Sequence, residues 1–144
     1  MRRWVAVAWL LGLVVIVGCS GGGGQPAAPK QAGIGGDPGV VHVHGLGINP
    51  KDGALFAATH TGLFRIPDEG QAERIADRYQ DTMGFTVVGP DRFLGSGHPD
   101  LREAQAKRLP PLLGLIESKD AGQTWQPRSL AGQSDFHALR AAHG

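Results

Sequence analysis

The chain repeats its own pattern with a period of about 40 residues. The stretches 44–60 and 83–98 each contain a strand-like run, a turn with a proline, a second strand-like run and a closing histidine. The closing histidines, His60 and His98, lie 38 positions apart. A third start follows at 136–144, delayed by a polar insertion in the second unit. Such self-similarity limits the fold to architectures built from stacked or radial repeats.

A unit of this length has room for four short strands, which is the size of one propeller blade. The 23 glycines and 10 prolines leave little room for helices apart from the N-terminus and residues 101–108. We therefore predict an all-β fold, a β-propeller with four-stranded blades of which two, and the start of a third, are present. The predicted strands are 43–48, 55–59, 62–66 and 72–75, then 84–88, 92–97, 112–118 and 124–129.

Two blades are fewer than the roughly four that stable propellers contain. Radial repeats bury their faces only against neighbouring repeats. We expect the chain to be the N-terminal part of a longer protein, or a truncated product, with a self-assembling short propeller as the alternative.

One short run predicts a tight hairpin between the last two strands of the second unit. Ser118 ends an apolar run, and Asp120 is placed to accept hydrogen bonds from the amides of a turn. Gly122 supplies the positive φ that a tight reversal needs. Thr124 and Trp125 favour the strand that follows, and the indole can cover the hairpin's edge. We expect these five residues to have a structural role.

The N-terminus has the pattern of a secretory signal. Two arginines precede an apolar run over 4–18, which is shorter than the ~20 residues that span a bilayer. Its last residues and Cys19 resemble the lipobox of bacterial lipoproteins, in which the signal is cut before a cysteine that carries a diacylglycerol. A chain with this one cysteine forms no internal disulfide. We predict a signal peptide over 1–18, a flexible Gly/Pro-rich tether over 19–39 and the propeller region over 40–144.

The octapeptide from Ser118 to Trp125 matches the Asp-box, or bacterial neuraminidase repeat. With the lipobox, the His-Gly-Leu repeat start and the run 59–65, it gives the chain a resemblance to exported bacterial propellers of the sialidase-like, sortilin-like superfamily. Many members are labelled glycosyl hydrolases. The resemblance implies a lipid-anchored protein on the extracytoplasmic side of a bacterial membrane. It bears on fold more than on activity, because the Asp-box turn lies on a blade's outer edge.

The resemblance implies specific catalytic residues, and the chain supplies few of them. A sialidase needs an arginine triad, a tyrosine nucleophile with a glutamate partner, and an aspartate acid/base. Residues 64–67 match the Phe-Arg-Ile-Pro motif, but Arg65 falls on a third strand and is more simply a solvated strand residue. Tyr79 is the single tyrosine and has no identifiable glutamate partner. Catalysis is therefore left unassigned.

Histidines are the other residues with a possible chemical role, as metal ligands. His42 and His44 alternate along a strand and therefore share one face. His60 and His98 recur at equivalent positions of the repeat, and His137 lies near the third start. Imidazoles that converge on a propeller channel suit zinc or copper. The alternative is that they hydrogen-bond the backbone of a neighbouring blade.

Two acidic residues and the overall charge also bear on the function. Asp100 and Glu103 follow His98 and are best interpreted as part of a solvated loop rather than an acid/base pair. The net charge of +1, with acids and bases interspersed, gives no nucleic-acid footprint. Two functions stay open, a glycosidase and a non-enzymatic binding or assembly module with a glycan or protein ligand, which includes a metal-binding form.

Overall fold

The computed structural model describes residues 36–142 and is mostly β. It contains two four-stranded antiparallel sheets, each with its strands in sequence order, here called the first and second units. The predicted signal peptide, Cys19 and all but the end of the predicted tether lie outside the described residues. Among the described residues, no helix has the length and apolar character needed to cross a membrane.

The strands follow the predicted order closely. The first unit comprises β1 (Val43–Ile48), β2 (Leu55–Thr59), β3 (Gly62–Ile66) and β4 (Glu73–Arg74). The second unit comprises β5 (Asp81–Gly89), β6 (Arg92–His98), β7 (Leu115–Ser118) and β8 (Gln126–Ser129). A short helix, α1 (Leu101–Lys107), interrupts the second unit, and a 3₁₀ turn over Ile75–Asp77 follows β4.

Five of the eight predicted strands differ from the structure at one or both ends, and local backbone geometry explains two of the differences. The fourth strand ends at Arg74 because Ala76 adopts a φ of 56° inside the 3₁₀ turn. Strand β7 begins at Leu115, since Gly114 has a φ of 66°. Strand β5 begins earlier than predicted, at Asp81, which pairs directly with His98.

The core lies between the two sheets and is centred on three phenylalanines. Phe56 of the first unit meets Phe93 of the second edge-to-face, with ring centroids 4.9 Å apart. Phe85 meets Phe93 in the same way at 5.5 Å. All three side chains are at least nine-tenths buried. Edge-to-face contacts add to the stabilisation that these rings contribute through burial.

Small residues allow each unit to pack closely on the next. A Cβ at Gly45 of β1 would lie 3.2 Å from the Cβ of Phe85 in β5. A Cβ at Gly84 would lie 2.1 Å from the carbonyl oxygen of Phe136 and 3.2 Å from Leu139. Residues 135–142, here called the third segment, therefore pack on the second unit in the way that the second unit packs on the first.

One face of β1 remains exposed. Leu46 and Ile48 are 63% and 64% exposed, and they occupy the repeat positions of Phe85 and Val87. Phe85 and Val87 contact the glycines of β1. The first unit thus presents apolar side chains whose equivalents in the second unit are covered.

The hairpin between β7 and β8 is closed by its own side chains. Ser118 Oγ accepts a hydrogen bond from the amide of Gly122 at 2.8 Å. Asp120 Oδ1 accepts the amide of Thr124 at 2.9 Å, and Oδ2 accepts its hydroxyl at 2.6 Å. Trp125 packs against the core cluster. These contacts give the Asp-box residues a structural role in the hairpin between β7 and β8.

The packing of the third segment can be tested with two glycines of one strand. Gly84→Ala should lower the free energy of unfolding by about 1–3 kcal/mol, because the new methyl group overlaps the backbone at Phe136. Gly89→Ala is the matched control on β5, since its nearest neighbour lies 3.9 Å away. It should change stability by no more than about 0.5 kcal/mol. Urea unfolding of both variants makes the comparison, and equal effects would contradict the packing described.

Candidate functional site

The candidate site lies at one edge of the two sheets, where β1 and β5 begin and β2 and β6 end. Antiparallel pairing brings the end of one strand beside the start of its partner. Asp81, the first residue of β5, is therefore the direct partner of His98, the last residue of β6. In the first unit, His60 follows β2 and its amide donates to the carbonyls of Val41 and His42. Side chains with donor atoms therefore lie at the same edge of each unit.

An open cleft of about 560 Å³ lies along this edge, here called the histidine cleft. Its lining combines imidazoles, carboxylates and one thioether from both units and the third segment. The lining residues are Val41, His42, His44, His60, Asp81, Met83, His98, Asp135 and His137.

Three of these residues form a compact cluster that joins the two units. His60 Nδ1 lies 2.9 Å from Asp81 Oδ2, and His44 Nε2 lies 3.5 Å from Asp81 Oδ1. One donor atom from each residue lies within 4.8 Å of the other two. The histidines come from the first unit and the aspartate from the second, so the cluster depends on how the units pack.

The aspartate of this cluster is poorly satisfied by the protein. The Asp81 side chain is only 15% exposed, and its Oδ1 is buried without a hydrogen-bond partner among the described residues. A buried acceptor that lacks a partner costs about 1–3 kcal/mol. A cation between the carboxylate and the imidazoles would remove this cost.

The donor set suits a transition-metal ion. Zinc binds imidazole nitrogen and carboxylate oxygen at about 2.0–2.2 Å, which places neighbouring ligand atoms of a tetrahedral site about 3.4 Å apart. The nitrogen–oxygen distances are 2.9 Å to Asp81 Oδ2 and 3.5 Å to Asp81 Oδ1, so each imidazole lies near that spacing from a different oxygen of the carboxylate. Three protein ligands leave a fourth position open for an exogenous ligand.

The predicted histidines divide between this cluster and the rest of the cleft. His44 and His60 belong to the cluster. His42 lines the cleft with a φ of 50°, and its ring centroid lies 6.2 Å from that of His60. His98 also lines the cleft, but its Nε2 lies beside Asp135, at 3.4 Å.

Sequence reasoning missed Asp81 and Asp135. Asp81 lies 39 positions after His42, which is one repeat period, so the repeat contained the signal. We also expected, as an alternative, histidine contacts to a neighbouring blade's backbone. His60 instead contacts the Asp81 side chain of the neighbouring unit, while His98 Nδ1 lies 2.9 Å from the carbonyl oxygen of Pro111 in its own unit.

The residues suggested by the sialidase motif do not line the histidine cleft. Arg65 lies on β3 with its side chain 45% exposed, 3.4 Å from Asp52. The Tyr79 ring stacks with two guanidinium groups, those of Arg74 at 3.9 Å and Arg102 at 4.7 Å. Both side chains therefore make contacts within the fold, away from the histidine cleft.

A second groove, of about 390 Å³, lies between α1 and the Asp-box hairpin. Asp100 and Glu103 line it, and the expectation that they belong to a solvated loop was wrong for Asp100. Asp100 is 3% exposed because it caps α1, accepting the amides of Arg102 at 2.8 Å and Tyr79 at 2.9 Å.

Electrostatics make neither carboxyl group a suitable general acid. The Arg102 side chain, through its hydrogen bonds, holds the pKa of Asp100 well below the usual range. Desolvation raises the pKa of Glu103, but hydrogen bonds from Arg78 and Lys107 outweigh it, so this pKa is also lowered. A glycosidase acid needs the opposite shift.

The chain was compared with protein families, with curated proteins and with solved structures. No protein-family model, no curated protein and no solved structure matches the chain significantly.

The role of Asp100 predicts a pH-dependent effect on stability. Asp100→Asn should lower the free energy of unfolding at pH 7 by about 1–3 kcal/mol, because hydrogen bonds to a charged group are lost. Since the folded-state pKa is lowered, the carboxylate stabilises the fold above an unfolded-state pKa of about 3.9, and this contribution is lost as pH falls towards the folded-state pKa.

The difference between wild type and Asp100→Asn should therefore stay nearly unchanged when urea unfolding is repeated at pH 5, and should shrink at pH 3, below the unfolded-state pKa. Asp68→Asn, on an exposed loop, is the control. A difference that stays constant with pH would contradict the assignment.

Proposed function

We propose that this protein is an exported binding protein whose histidine cleft binds a divalent transition-metal ion, zinc or copper, through His44, His60 and Asp81. The metal is held at the junction of the two units, with a coordination position open towards the cleft. The function is metal-dependent binding rather than bond cleavage. The ion itself, or a small ligand or protein side chain that completes its coordination, is the molecule bound.

One observation carries the proposal: two imidazoles and a buried carboxylate from different units converge with their donor atoms within 4.8 Å. Attraction between an imidazole and a carboxylate explains the 2.9 Å contact between His60 and Asp81. It does not explain why the second oxygen of Asp81 is buried without a hydrogen bond beside another imidazole. A metal ion accounts for all three side chains together.

The wider setting of the site is also part of the proposal. Two antiparallel sheets with strands in sequence order, a period near 40 residues and repeated unit-to-unit packing support propeller blades. In a propeller, β1 and β5 would be inner strands and the cleft would open at one end of the central channel. The N-terminal pattern supports lipid anchoring through Cys19 and an extracytoplasmic location.

The described residues do not favour the alternative of a glycosidase. The carboxyl groups of the second groove are tied to arginines and have lowered pKa values. Tyr79 is stacked between guanidinium groups. That alternative rests on the sequence resemblance to the sialidase-like superfamily.

Metal binding can be measured directly on the full chain, purified in detergent without a polyhistidine tag. Cys19→Ser in every sample removes the one thiol that would compete for metal. Zinc should bind, and His60→Ala and Asp81→Asn should each weaken binding by about 10-fold or more, because each removes one of three ligands. Isothermal titration calorimetry with zinc chloride gives the affinities.

His42→Ala is the matched control, since it removes a histidine of the same cleft that lies outside the cluster. It should retain most of the affinity. Circular dichroism checks that each variant is folded. If zinc and copper fail to bind the wild-type chain, or if His42→Ala is as damaging as His60→Ala, the proposal is wrong and the cluster is an electrostatic link between the units.

A further inference from the structure

The histidine cleft contains a second group of donor side chains beside the cluster. His98 Nε2 lies 3.4 Å from Asp135 Oδ2, and His137 Nε2 lies 3.1 Å from the same oxygen. Met83 lines the cleft with them. The cluster of His44, His60 and Asp81 does not include any of these four residues.

The repeat relates this group to the first one. His60 and His98 close equivalent strand pairs, and Asp81 and Asp135 each begin the next unit. Each aspartate contacts the histidine of the preceding unit, at 2.9 Å and 3.4 Å. The two groups therefore share a histidine–aspartate contact between successive units, whereas among the described residues the first group is the one with three donor atoms within 4.8 Å of one another.

The two groups differ at one repeat position. Where the first has His44, the second has Met83, 39 positions later, and it gains His137 from the third segment. Replacing an imidazole by a thioether makes the donor set softer. Soft thioether ligands select copper(I), whereas imidazole and carboxylate suit zinc and copper(II).

Two further observations indicate that the second group is prepared for a cation. His98 Nδ1 lies 2.9 Å from the carbonyl oxygen of Pro111, and a proton on that nitrogen leaves Nε2 as the free donor facing Asp135. Such a second contact is the usual way in which a metal-binding histidine is oriented. Asp135 Oδ1, like Asp81 Oδ1, is buried without a hydrogen-bond partner among the described residues.

We infer that the cleft holds a second metal site, formed by Met83, His98, Asp135 and His137, which prefers copper(I). The inference rests on the proposed function of the neighbouring cluster and extends it. The cleft then binds two ions of different character, a harder one at the junction of the first and second units and a softer one at the junction of the second unit and the third segment.

The test is a copper(I) titration of the tag-free full chain carrying Cys19→Ser, under anaerobic conditions with ascorbate and bicinchoninate as the competing chelator. The wild-type cleft should take up copper(I), and His98→Ala should lose the tightest equivalent. Met83→Leu keeps the volume of the side chain and removes the sulfur. It should weaken copper(I) binding by about 10-fold or more and leave zinc binding at the first site unchanged.

His60→Ala is the reciprocal control, since it damages the first site and should leave the tightest copper(I) equivalent in place. If copper(I) binding is lost in His60→Ala and unaffected in His98→Ala and Met83→Leu, the second site is overturned while the first one stands. If neither zinc nor copper(I) binds to any of the chains, the proposed function itself has failed. Each outcome is therefore assigned to one of the two proposals.

Discussion

The close approach of the two sheets is the constraint on which the rest of the structure depends. The edge-to-face contacts of Phe56 and Phe85 with Phe93 fix the separation of the sheets, and Gly45 gives Phe85 the space to approach β1. With β1 and β5 in this register, the starts of both strands lie at one edge. The histidine cleft is a consequence of this packing, because its donor atoms come from different units and meet only when the units are stacked.

The sequence was sufficient for the order of the elements. The first three strands were predicted to the residue, since alternating apolar residues and turn signals marked each end. The position of the Asp-box turn followed from residues that leave few backbone choices. By contrast, the polar appearance of Asp100 suggested a solvated loop, and the fold uses it as a buried helix cap. Sequence pattern indicates polarity but does not tell which polar groups find buried partners.

The candidate site was predictable only in part, for a related reason. His44 and His60 could be singled out because histidine at a repeated position is conspicuous, but Asp81 lay outside the strand predicted over 84–88. Its role depends on the strand beginning three residues earlier, opposite His98, which is a matter of cross-strand register. The repeat aligns Asp81 with His42 and so indicated a functional position. The equivalence was not recognised because the residue type changes from histidine to aspartate.

The exposed pair on β1 has a consequence for how copies of this surface can associate. Leu46 and Ile48 form an exposed apolar face, whereas the glycine sides of β1 and β5 are covered by the second unit and the third segment. Contact between two such exposed faces would pair like with like, and a two-fold contact of this kind closes on itself and does not continue as a chain.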